Sequence, residues 1–181
     1  MAGEAEMARG IRQPIQIYPM FENAIRYQRQ ESIEEHQLRI SELWAGFSKV
    51  AASNPHAWIK DQVDAEAIRT AAASNRMISF PYPKLMNSNS AVDMSAALIM
   101  CSVEKARSLG VPKSQWVYPL AGTDAHDHYM VSNRDNLHSS PAIRIAGSRA
   151  LELIDLAGSD LDHIDVYSCF PSAVQVAAKE L

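Results

Sequence analysis

The chain has 181 residues, 47% of them hydrophobic, and a compact unit of this length can bury about 70% of its unfolded surface. Its net charge of -4, without a cluster of lysines and arginines, argues against a nucleic-acid partner. The two cysteines are far apart and no secretory leader is present, which predicts a cytoplasmic protein without disulfides. No apolar run reaches the roughly 18 residues needed to span a bilayer, so no membrane span is predicted.

Residues 1–80 are predicted to form a helical region. Pro19 opens one helix, Ser32 and Glu35 form a capping box for a longer one, and Asp64 starts a third, short helix. Apolar residues at helical spacing give the longer helix a broad face: Ile33, Leu38, Ile40, Leu43, Trp44, Phe47 and Val50. This spacing favours core packing for the aromatic residues over a ligand channel.

From residue 81 the pattern changes to short apolar segments that alternate with helices, which is typical of an α/β layered fold. Small polar residues lead from Asn87 into an unbroken apolar run, Ala96 to Cys101, which predicts a fully buried strand or helix segment. We expect Cys101 to be a small buried hydrophobe there. Gln115 to Leu120 alternates and is rich in aromatic and β-branched residues, which predicts a strand.

Three helices are predicted in this second part. The first follows Ser102 and closes at Gly110, and the second begins at Pro141, after a cap by the preceding serines, and ends at Gly158. The third begins at Pro171 and has no terminating signal before Leu181, so we expect the chain to belong to a longer fold.

Four blocks of the second part, in this order, resemble those of thiolases. Residues 87–101 resemble the segment GNASGxNDGAAA that passes the pantetheine arm of coenzyme A (CoA). Residues 102–110 resemble the SEEKAKELG helix, and residues 141–158 resemble the helix GPVxAxxxALxxAG. Residues 160–170 resemble the turn DIDxxExNEAF, or its HDCF version in thiolases of the sterol-carrier-protein type.

The resemblance implies an α/β fold: a partial thiolase-like fold. Residues 1–80 would be its helical loop region and residues 81–181 a truncated part of its C-terminal α/β half. Missing strands would leave an edge and an uncovered apolar face. We therefore expect the isolated chain to be marginally stable, to aggregate, or to be stable only as an oligomer.

The resemblance also implies a site. Ser90 falls on the CoA-contacting serine, Tyr167 on the catalytic Asn or His, and Cys169 and Phe170 on the Cys-Phe pair of the sterol-carrier type. It implies CoA or an acyl-CoA thioester as ligand, no covalently bound cofactor, no metal, and a homo-oligomer or a partner that supplies the missing half. The family's glycines are replaced here by Asn87, among others.

The thiolase motifs that carry catalysis are not in the sequence: the nucleophilic Cys of the amino-terminal half, the GHP histidine and the CxG cysteine. Two functions therefore stay open. The chain is either a portion of an acyltransferase of lipid and fatty acid metabolism, inactive in isolation, that catalyses Claisen condensation or thiolysis of acyl-CoA, or a non-catalytic module that binds a CoA thioester or serves in assembly. Tyr167 can donate one hydrogen bond in either case.

One loop contains four potential metal ligands within five positions: Asp124, His126, Asp127 and His128. Adjacent ligands in a polar loop are more often solvated, so no metal site is predicted there. For Cys169 a structural role is favoured over a reactive thiol, although its neighbourhood resembles an active-site wall.

Overall fold

The computed structural model describes residues 2–181, so Met1 of the predicted helical region lies outside it. In chain order its elements are α1 (Glu4–Ala8), α2 (Pro14–Gln28), α3 (Ile33–Ser53), α4 (Ala65–Arg69), β1 (Met77–Ser79), β2 (Tyr82–Pro83), α5 (Val103–Ser108), α6 (Pro141–Leu153) and α7 (Pro171–Glu180). Short 3₁₀ turns and long extended segments connect them.

Capping side chains start several helices as the sequence predicts. The Ser32 hydroxyl accepts the Glu35 N–H at 3.2 Å, and the Glu35 carboxylate accepts the Ser32 N–H at 2.8 Å, which confirms the capping box of α3. Asp64 and Ser140 likewise accept backbone N–H groups at the starts of α4 and α6.

The predicted start of the first long helix is wrong. The helix α2 begins at Pro14, and Pro19 lies inside it. Pro14 supplies the favourable first-turn proline. Burial of Ile17 and Phe21 on one face of α2 holds the helix together across Pro19, which lacks an N–H donor.

The main core lies where α2, α3, α4, the hairpin and α7 meet. Its buried residues are Ile40, Ile68, Tyr82, Met86 and Phe170. The Phe170 ring stacks on Tyr18 with centroids 4.3 Å apart and lies 5.6 Å from the Tyr82 ring. Residues on both sides of position 80 therefore share one core.

Two apolar segments are extended and exposed, although one is predicted as a buried strand or helix segment and the other as a strand. Leu98 is 93% exposed, Ile99 is 94% exposed and Cys101 is exposed too, so the predicted burial of residues 96–101 is wrong. No strand forms over residues 115–120 either. A strand is stable only beside hydrogen-bonded neighbours, and the sheet of the described residues consists of β1 and β2 alone, paired antiparallel with Ser79 opposite Tyr82.

The apolar face of α3 is covered only in part. Ile40 is buried in the core, whereas Phe47 and Val50, about two and three turns further on, are 48% and 67% exposed. Exposure of this kind marks a surface that suits a further packing element. Within residues 2–181 no helix is both long and apolar enough to cross a membrane.

Candidate functional site

The two segments of the predicted site meet at the start of α7. The Ser88 N–H donates to the Cys169 carbonyl at 3.0 Å. The Asn87 side chain donates to the Pro83 carbonyl at 2.7 Å and fixes the beginning of the polar segment. The Asn89 side chain then accepts the Ala91 N–H at 3.0 Å, which turns the chain around the exposed Ser90.

Tyr167 and Cys169 form the open edge of this site. Tyr167 is 87% exposed, and its hydroxyl lies 3.6 Å from the Cys169 sulfur. This hydrogen bond with Cys169 raises the pKa of Tyr167. The phenol therefore keeps its proton at neutral pH and can donate one hydrogen bond to a ligand.

Phe170 anchors the turn to the main core. The structure buries its ring in the main core, and the Ser168 hydroxyl donates to its carbonyl at 2.7 Å. The fold thus brings together the two segments that carry the predicted site residues. Their side chains differ in solvent exposure: Ser90 and Tyr167 are exposed, Cys169 is half-buried and Phe170 is buried.

A buried carboxylate, for which the sequence analysis predicts no role, lies behind the turn. The Glu22 side chain is 0% exposed and accepts three hydrogen bonds: from His36 Nε2 at 2.6 Å, from the Tyr82 hydroxyl at 2.6 Å and from Gln175 Nε2 at 2.7 Å. The Ser172 hydroxyl lies 3.0 Å from the Tyr82 oxygen. Burial raises the pKa of Tyr82, so its hydroxyl remains a donor.

His36 joins two carboxylates. Its Nε2 faces Glu22 and its Nδ1 faces Glu31 Oε2, each at 2.6 Å. Arg39 Nη2 also lies 3.1 Å from Nδ1, so this side of the ring faces both a carboxylate and a guanidinium. Arg39 extends the chain of contacts, with two hydrogen bonds to Glu31 and one of 2.8 Å to Gln175. The network ties α2, α3, the hairpin and α7 together.

A signal for this network exists in the sequence. Glu22 lies between Phe21 and Ile25 on α2, and His36 lies one turn before Ile40 on α3. A polar residue on an apolar helical face is buried with the face, and buried polar groups need partners. The pattern thus indicates a buried pair without naming the partners.

Acid is expected to weaken this network through Glu31. Burial raises the pKa of Glu31, but hydrogen bonds from Arg39, Arg29 and His36 outweigh burial and hold it at about 2. Since this pKa lies below the ordinary value of 4.5, the contribution of Glu31 to the free energy of unfolding is complete above pH 4.5 and is lost as the pH falls towards 2.

The measurement is urea unfolding across that pH range. Glu31→Gln should remove part of the acid dependence, whereas Glu34→Gln, at an exposed position of α3, should keep it. Hydrogen bonds from Ser132 also lower the pKa of Glu6 to about 2. The contribution of Glu6 to the acid dependence is the same in both variants. Identical acid dependence in Glu31→Gln and the parent chain would contradict the assignment.

The loop with four potential metal ligands does not gather them. His126 lies 3.6 Å from Asp124, and both are exposed. Asp127 instead accepts the Ser140 hydroxyl at 2.5 Å and the Ala142 N–H at 3.1 Å at the start of α6. Among residues 2–181 no group of three or more His, Cys, Asp or Glu side chains is placed to hold a metal ion.

Comparison with known proteins finds relatives both by sequence and by structure. No protein-family model matches the chain. An acetyl-CoA acetyltransferase of Methanocaldococcus jannaschii is 26% identical over an alignment 126 residues long, which covers 61% of this chain and 32% of that protein. The crystal structure of a monomeric SCP2-thiolase like protein type 1 from Mycobacterium smegmatis matches with a TM-score of 0.83 and 39% identity, over 94% of this chain and 37% of that one.

The chain therefore spans about a third of the length of these relatives. The structural match covers almost the whole chain, so it includes most of the extended segments as well as the helices. This confirms the predicted partial α/β fold of thiolase type. The chain belongs to the thiolase superfamily as a partial chain.

Proposed function

We propose that the chain is a portion of a thiolase-like acyl-CoA acyltransferase that carries out Claisen condensation or thiolysis. Its share of the site is the segment around Ser90 and the turn with Tyr167, Cys169 and Phe170. The observation that carries the proposal is the Ser88 to Cys169 backbone hydrogen bond of 3.0 Å, because it joins these two segments into one surface. The names of the two relatives support the reaction class.

The proposed chemistry divides between this chain and residues outside it. Tyr167 would donate a hydrogen bond to the thioester oxygen, where negative charge develops during acyl transfer. The nucleophile would come from outside the chain, since the hydrogen-bond partner of Cys169 is the Tyr167 phenol and not a histidine base. We accordingly propose that the chain is inactive in isolation, with CoA thioester as its substrate and no covalently bound cofactor.

The proposal includes an assembly. Leu98 and Ile99 are almost completely exposed in extended backbone, a state that association relieves. A second copy, or a polypeptide that supplies the missing half, would cover them. We place the assembled protein in the cytoplasm and in lipid and fatty acid metabolism.

A non-catalytic module that binds a CoA thioester or serves in assembly is the second candidate. The tyrosine at position 167, where the resemblance expects Asn or His, favours it. Reconstitution with a polypeptide that carries the nucleophile separates the two functions. Turnover in the reconstituted protein identifies an enzyme, and CoA binding without turnover identifies the module.

Calorimetry with CoA and acetyl-CoA tests the shared ligand. We expect saturable binding to the chain and a loss of at least tenfold in affinity in Ser90→Trp, because the indole would fill the space beside the turn. Ser114→Trp, at another exposed serine, is the matched control and should bind like the parent chain. Failure of the folded chain to bind CoA, or equal binding by Ser90→Trp, would overturn the CoA site.

A further inference from the structure

A cavity of about 230 Å³ lies between the ends of α2 and α7 and the first half of α3. It is several times the roughly 30 Å³ that one water molecule occupies. Cationic and hydrogen-bonding side chains line it: Arg29, Arg39, Lys179, Gln28, Gln175 and His138. Along α7 it lies about 12 Å from the turn that contains Cys169, at 1.5 Å of rise per residue.

The two arginines are held in place before any ligand arrives. Glu31 accepts Arg29 Nε at 2.6 Å and Arg39 Nε at 2.7 Å, and Gln175 accepts Arg39 Nη1 at 2.8 Å. Each guanidinium carries five N–H donors, so both keep donors beyond these bonds. The ion pairs already order these two side chains, so binding a ligand costs less side-chain conformational entropy.

The cavity carries an excess of positive charge. Glu31 balances one of the three cations, and Lys179 forms no ion pair within residues 2–181. The carboxyl ends of α2 and α7 contribute only about half a negative charge each, and solvent screens them. An anion of more than one charge is therefore favoured over a neutral ligand.

We propose that this cavity binds the phosphate group of a phosphate ester or diphosphate. Guanidinium forks match the geometry of phosphate oxygens, and Lys179 adds a mobile ammonium at the rim. The site does not depend on the acyl-transfer function. Free phosphate compounds are one source of the ligand, and CoA, with its thioester at the turn, is the other.

Titration with inorganic phosphate and pyrophosphate at low ionic strength tests the site on the intact chain. We expect saturable binding that weakens about tenfold in Lys179→Ala, the loss of one charge-assisted contact, and disappears in Lys179→Glu. Lys179 is exposed, so both variants should fold, which an unfolding transition would verify. Lys105→Ala removes an exposed lysine from the last turn of α5 and should leave binding unchanged.

Two results would overturn the site: a folded parent chain without saturable phosphate binding, or equal affinities in the parent chain and Lys179→Glu. CoA and pantetheine then identify the source. Weaker CoA binding in Lys179→Ala, with pantetheine unaffected, supports CoA as the ligand, and an effect on inorganic phosphate alone supports free phosphate. Ser90→Trp should leave phosphate binding unchanged, so failure of the acyl-CoA site is seen separately.

Discussion

Replacement of Glu22 by alanine is expected to abolish cooperative folding of the isolated chain. The substitution leaves His36 without one of its two carboxylates, and it leaves the Tyr82 hydroxyl and the Gln175 amide without their acceptor. Each buried polar group that loses its partner costs about 1–3 kcal/mol, and three groups lose theirs. Total stabilities of domains are only about 5–15 kcal/mol, and a chain with exposed apolar segments lies at the low end.

Urea and thermal unfolding followed by circular dichroism measure the effect. Glu42→Ala, at an exposed position of α3, is the matched control and should change the free energy of unfolding by no more than about 0.5 kcal/mol. Glu22→Gln keeps the shape and one acceptor oxygen, so its loss should be smaller than that of Glu22→Ala. A Glu22→Ala protein that unfolds within about 1 kcal/mol of the parent would show that the network contributes little.

The second large effect concerns association. Leu98→Lys combined with Ile99→Lys is expected to turn a self-associating chain into a monodisperse one. Burial of each side chain contributes roughly 1.5–3 kcal/mol, so the pair together raises the association constant by roughly 10²–10⁴. Charged side chains, lysine above all, are also what natural proteins place on exposed strand edges to prevent pairing.

Sedimentation velocity over a range of concentrations measures this change. Leu109→Lys combined with Leu153→Lys adds the same charge at two exposed leucines outside the extended segment, and it should leave the association as in the parent chain. If the parent chain sediments as a monomer, or if the two double variants behave alike, the exposed segment does not drive association.

Local signals predicted the helices well. The caps at Ser32, Asp64 and Ser140 depend on residues three positions away, which the sequence contains side by side. Two helix boundaries were wrong. The helix α6 ends at Leu153, before the predicted Gly158, and α2 begins at Pro14 and not at Pro19, where the buried Ile17 lies in the additional turns. The choice between the two prolines is made by packing, not by local sequence.

Strands were predicted less well because a strand needs a neighbour. Residues 96–101 have the composition of a buried strand, yet the described residues hold no edge for them to pair with, and they remain extended and exposed. Composition reports what a segment prefers, and pairing depends on other parts of the fold. The relative from Mycobacterium smegmatis, of which this chain covers 37%, shows how much fold lies beyond this match.

The candidate site was found by resemblance and not by pattern. Nothing local indicates that Ser88 and Cys169 meet, since they are far apart in the chain, and the motifs alone placed them in one site. The network around Glu22 was not predicted because its partners come from three other elements: His36 from α3, Tyr82 from the hairpin and Gln175 from α7.

The bond between Glu22 and Gln175 has a consequence for biosynthesis. Its two residues are 153 positions apart, so a ribosome has made most of the chain before the amide that Glu22 needs exists. Until then Glu22 can bond to His36 and Tyr82, but α2 and α3 lack the Gln175 amide that completes the network. Closure of this network therefore waits for α7, and until α7 is made the polar interior is open to water, chaperones and proteases.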